Sequence, residues 1–262
     1  MHPNPGFLFC SCTFKIFVIY CDNKKEVRLD GFLTDTGRIF MYIKHRNTAL
    51  AYRCLILFAC SVGLTLNLFI RSGQFDAESL IYYTNLSNLI CWMYYILFVV
   101  QSIRYRNKNT ITLLPRLKGG LTLMIAITIL VYHFVLAGGE FPLYTGVQFQ
   151  RWLANTLLHY VTPAMIILDW ILFDPKRVFH KIDPLLWVSL PLLYVLFTLV
   201  RAEIGGVIRG RDSRFPYFFL DIDVIGWSGL MKYVGIITIA FIAIGYVIVL
   251  LDRYVFGKAK SN

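Results

Sequence analysis

Tyr233-Val-Gly-Ile-Ile-Thr-Ile-Ala-Phe-Ile-Ala-Ile-Gly-Tyr-Val-Ile-Val-Leu-Leu251 runs for 19 residues between Lys232 and Asp252 without a charge. A bilayer core takes about 20 apolar residues as helix, because hydrocarbon offers no partner to an unpaired backbone N–H or C=O. The stretch therefore reads as a transmembrane helix. Working back along the chain, the pattern recurs five times. Residues 184–200, 119–139, 79–103 and 54–70 are uncharged between flanking charges, and residues 152–173 carry a single one, Asp169. The fold class that follows is all-α, a polytopic membrane bundle of six transmembrane helices within residues 41–262.

Composition agrees. The chain of 262 residues is 57% hydrophobic and 16% charged, with a mean hydropathy of +0.61. An ordinary soluble domain is nearer half apolar and a quarter charged, which argues against a soluble enzyme, a disordered chain or a nucleic-acid module. The net charge of +11 needs no nucleic-acid partner. With the N-terminus inside, the inner segments hold 19 Lys and Arg against six outside. Positive-inside bias then predicts a multi-pass protein of the cell membrane with both termini cytoplasmic, its partners being membrane lipids.

Residues 1–40 stand apart. Residues 7–20 are apolar but interrupted by Lys15 and too short to span, and no basic region precedes them as in a signal peptide. The expectation is a poorly ordered tail, or an extension upstream of a true start at Met41; either makes these residues dispensable. The six cysteines include no CxxC pair and none spaced with His as zinc ligands, so they read as unpaired thiols, with no metal and no cofactor expected. The segment 201–229 is the longest outer connection. Its run Phe215-Pro216-Tyr217-Phe218-Phe219 suggests a structured lid.

Polar groups inside a span are costly and thus functional candidates. Thr84, Asn88, Cys91 and Tyr95 share one helical stripe, as do Asn155, His159 and Thr162. With the N-terminus inside, both stripes enter from the outside. Thr84 lies about 7 Å and His159 about 12 Å deep at the helical rise per residue. His133 approaches the same level from the next span. Pro163 leaves the carbonyl of His159 without its helical partner, which predicts a kink there. Asn85, Ser87, His133 and Tyr160 are the expected cavity lining. Structural readings stand beside these. Thr back-bonds to its own helix, Asn and Ser bridge helices, and a lone buried His is often simply a satisfied core group. Asp169, next to Trp170, reads as an interface marker.

Several motifs carry a resemblance. They are Tyr83-Thr84-Asn85-Leu86-Ser87-Asn88, Asn155-x-x-Leu158-His159-Tyr160-x-x-Pro163 and Asp169-Trp170-x-Leu172-Phe173. Pro191-Leu-Leu-Tyr194, Thr198-Leu-x-Arg201 and Phe215-Pro216-Tyr217-x-Phe219-Leu220-Asp221 continue the series. In order, over residues 41–255, they resemble a family of bacterial six-span membrane proteins. That family is distantly similar to the androgen-induced protein family of animals. Animal members are membrane-embedded hydrolases of fatty acid esters of hydroxy fatty acids, with a threonine nucleophile and a histidine partner. Carried over by motif, the resemblance implies Thr84 and His159 in those roles and a fatty acid ester as substrate.

The chemistry implied is ester hydrolysis. An alcohol is a weak nucleophile and needs a base within hydrogen-bond reach, a role His159 would fill for Thr84. By spacing, Asn88 is a candidate oxyanion donor and Asn155 a candidate for orienting the imidazole. No GxSxG, HExxH or phosphate loop is present. The rival readings are a small-solute transporter whose pathway these groups line and a non-catalytic membrane protein. No inverted repeat favours the transporter.

Overall fold

A computed structural model describes residues 45–70, 73–105, 113–138 and 149–255. The tail 1–40, Met41, three of the cysteines (Cys10, Cys12 and Cys21) and the basic residues Arg106, Lys108, Lys258 and Lys260 lie outside the described residues. Among the described residues, six helices are long and apolar enough to cross a membrane: α1 (Arg46–Phe69), α2 (Tyr83–Arg104), α3 (Pro115–Leu136), α4 (Phe149–Phe173), α5 (Asp183–Gly205) and α6 (Ile222–Val255). Among the described residues there is no strand. The chain is a multi-pass membrane protein, a bundle of six transmembrane helices.

Local chemistry sets the helix starts. The His45 ring accepts the Thr48 N–H at 3.3 Å and caps α1, while Pro115 opens α3, where its missing N–H costs nothing. Asp183 starts α5 by accepting the His180 N–H at 2.8 Å and also receives Arg116 Nε at 2.9 Å, which ties α3 to α5. The outward faces are apolar. Phe58, Leu97, Phe134, Leu168, Leu193 and Ile239, one from each helix, are all exposed, as lipid-facing side chains are. Small residues let the helices approach. A Cβ on Gly63 would stand 2.8 Å from Leu158 Cδ2, so α1 and α4 meet where no larger residue fits.

Several helices begin or end beyond the uncharged stretches. α1 takes in Arg53, and α3 takes in Arg116 and Lys118, because Arg53 and Lys118 are buried against carboxylates rather than left at the membrane edge. Asp169 is wholly buried and paired. It accepts from Arg53 Nε at 3.0 Å, from Tyr95 Oη at 2.9 Å and from Lys118. Asp174 completes the network, with Arg53 Nη2 at 3.1 Å and Lys118 Nζ at 2.6 Å. Two cations and two carboxylates thus neutralise one another at the end of the bundle where α1 begins and α4 ends, with the Arg53 guanidinium 4.0 Å above the Phe98 ring.

At the opposite end, the connection 206–221 is fastened over the bundle. Arg214 pairs with Asp223 at 2.7 Å and Glu203 at 2.9 Å, and Ser213 Oγ donates to Asp221 at 2.6 Å. Asp221 also caps α6 through the Asp223 N–H at 3.1 Å. Gly226, at φ +65°, breaks the first turn of α6 from the rest, a backbone state that a β-carbon would strain.

Candidate functional site

Thr84 lies in the first turn of α2, nearer the helix end than the expected depth of about 7 Å implies. The preceding residues 77–81 form a separate short 3₁₀ turn and Tyr82 is extended. Thr84 is nevertheless buried, because that turn and the connection 206–221 close over it. Its backbone is held firmly. The Thr84 carbonyl accepts Asn88 Nδ2 at 2.8 Å and Ser87 Oγ at 3.1 Å.

His159 reaches Thr84 by a local distortion of α4. Pro163 has no N–H to give, and the helix answers with a π-turn over Leu157–Val161, in which the Thr162 N–H donates to the Leu157 carbonyl five residues back. The expected kink is thus a widened turn, and His159 lies in its middle. Thr84 Oγ1 and His159 Nε2 are 3.1 Å apart. Nδ1 is 2.9 Å from the Asn155 carbonyl. A carbonyl only accepts, so Nδ1 carries the proton. In the neutral ring Nε2 is then the acceptor facing the Thr84 hydroxyl.

A second π-turn, Val131–Leu136 in α3, faces the first. It presents Tyr132, whose ring packs against His159 at 3.8 Å between centroids, tilted by 31°. The Tyr132 hydroxyl accepts Asn155 Nδ2. The orienting role expected of Asn155 is therefore divided. Its main-chain carbonyl holds the imidazole, and its carboxamide holds the tyrosine packed against it.

An apolar cavity, part of it open to the outside, lies between α3, α5 and α6. Thr84 is in its wall, with Tyr83, Tyr132, Tyr194, Tyr217 and Phe241 among the neighbours. Leu136 and Leu192 on its rim are exposed on the outside of the bundle. His159 does not line the cavity and stands behind Thr84 and Tyr132.

The remaining expected residues go elsewhere. None of Asn85, Ser87, His133 and Tyr160 lines this cavity. Asn85 bridges outward, donating to the Ser79 carbonyl at 2.6 Å and accepting from Asn67 at 2.7 Å. Ser87 meets Thr128 at 3.2 Å, and His133 Nδ1 meets the Tyr160 hydroxyl at 3.1 Å. Asn88 is fully buried. Its Nδ2 donates to the carbonyls of Thr84 and Leu158, the latter at 2.9 Å, which leaves no N–H for an oxyanion. Spacing aligned Asn88 with Thr84 correctly but could not reveal that α4 supplies a competing carbonyl. Tyr132 and Tyr217 were passed over. Nothing in the sequence marks a tyrosine that folds against a distant threonine or histidine.

No family model, curated protein or solved structure matches the chain.

Proposed function

We propose that this protein is a membrane-embedded threonine hydrolase acting on lipid esters, above all fatty acid esters. The observation that carries the reading is the 3.1 Å contact between Thr84 Oγ1, on the wall of an apolar cavity, and His159 Nε2 behind it. Nucleophile and base are within hydrogen-bond reach, and a third group, the Asn155 carbonyl, orients the base. The cavity suits an acyl chain, since apolar side chains dominate its walls and its rim reaches the lipid-facing surface. The resemblance to the androgen-induced family supports the same two residues.

In this mechanism Thr84 Oγ attacks the ester carbonyl carbon while its proton passes to His159 Nε2. The tetrahedral adduct collapses, and His159 returns the proton to the departing alkoxide. Water, activated by the same imidazole, then cleaves the acyl-threonine and releases the fatty acid. The test is fatty-acid release by purified protein from a panel of branched and simple lipid esters. Release without any ion gradient is the expected result. A well-folded protein inactive across the panel overturns the hydrolase reading.

The orientation belongs to the same proposal. The chain resides in the cell membrane with both termini cytoplasmic, an arrangement supported by the 19 inner basic residues against six outer ones. Thr84 and the connection 206–221 then lie on the outer side, where water reaches the acyl-threonine. A phosphatase or fluorescent reporter fused after Asn262 should report a cytoplasmic location. A reporter active only outside the cell reverses the orientation.

A further inference from the structure

With Asn88 committed to two carbonyls, the site still needs a donor for the charge that develops on the substrate oxygen. Tyr217, carried on the connection 206–221, ends at that position. Its hydroxyl oxygen accepts, at 3.1 Å, the N–H of Tyr83, the residue next to Thr84. Its ring is buried, stacked parallel on Phe219 at 5.1 Å and packed edge-on against Tyr82 at 6.1 Å. It faces the cavity beside Thr84. The oxygen accepts, and a phenol also carries one O–H that can donate to a carbonyl oxygen placed beside Thr84. Burial pushes this phenol up to about 12, so it keeps that proton at neutral pH. Tyr194, its neighbour, spends its own proton on the Ile81 carbonyl at 2.8 Å.

We propose that Tyr217 is a further catalytic residue, whose hydroxyl donates to the ester carbonyl oxygen as Thr84 attacks. The proposal rests on the hydrolase reading above. As the bond from Thr84 Oγ to the carbonyl carbon forms, the π pair moves onto the carbonyl oxygen and the hydrogen bond donated by the Tyr217 hydroxyl to it shortens. When the adduct collapses the pair returns, the bond to the leaving alkoxide breaks, and Tyr217 retains its proton throughout. The role puts one donor on the lid and the nucleophile on α2. The Arg214 and Ser213 fastenings of 206–221 then align the two.

The experiment compares wild type, Y217F and Thr84→Ala on a fatty acid ester and on its thionoester, whose sulfur is a poor acceptor. Tyr217→Phe keeps the stacked ring. We expect kcat on the ester to fall about 10²–10³-fold with KM little changed. That penalty should largely disappear on the thionoester, and the melting temperature should stay near wild type. A Y217F kcat close to wild type, or an equal loss on both substrates, overturns the role of Tyr217 while leaving an active wild type and an inactive Thr84→Ala to uphold the hydrolase. A wild type that releases no fatty acid overturns both. Should Y217F fail to fold, 3,5-difluorotyrosine at 217 preserves the hydroxyl and makes it a stronger donor. A kcat that ignores that change overturns the proposal, and one that follows it supports it.

Discussion

Thr84→Ala should reduce ester hydrolysis to background, and His159→Ala should reduce it by about 10²–10⁴-fold. Both groups serve one proton-coupled attack across the 3.1 Å contact. Once either is gone the other has nothing to act on, so the double variant should be no slower than Thr84→Ala alone. Thr84→Ser keeps the hydroxyl and should retain part of the activity. The loss belongs to the chemistry and not to folding, since the hydrogen bond removed from the fold is worth only about 1 kcal/mol. The measurement is fatty-acid release by variants whose melting temperatures match wild type. Full activity in Thr84→Ala ends the nucleophile assignment. Additive losses in the double variant would mean that the two side chains act in separate steps.

The second large effect is on stability, at the other end of the bundle. Asp169→Ala should cost about 3–5 kcal/mol, because it leaves Lys118 and Arg53 buried with one carboxylate between them. Lys118→Ala should cost a similar amount by exposing the opposite imbalance. Lys118→Met combined with Asp169→Leu removes one charge of each sign and should be milder than the sum of the two single changes. Denaturant unfolding in detergent, followed by tryptophan fluorescence, reads all of them. An Asp169→Ala variant as stable as wild type would show that water already screens these charges. The network is remote from Thr84, so esterase activity per folded molecule should survive in each variant.

Much of the fold was legible in the sequence because one solvent imposes one rule. Hydrocarbon cannot pair backbone groups, so five charge-free stretches and one with a single charge read as six helices, and six such helices are present among the described residues. The ends were misread for the same reason. Arg53 and Lys118 looked like boundaries because a lone charge belongs at the edge of a membrane, and only tertiary packing brings Asp169 and Asp174 to neutralise them. The alignment of Thr84 with Asn88, and of Asn155 with His159, is a property of the helix period and was available at once. The distance between the two stripes was not. It depends on the π-turn ahead of Pro163, which turns His159 toward α2, and on the late start of α2, which leaves Thr84 in a first turn. What Asn88 does was decided by the Leu158 carbonyl, a backbone group on another helix that carries no sequence signature. Tyr217 lies 133 residues beyond Thr84 and meets it only because ion pairs fold the connection 206–221 back over the bundle. The solvent of each segment can be read from local composition, whereas the partner of each polar atom is fixed by the packing of helices far apart in the chain.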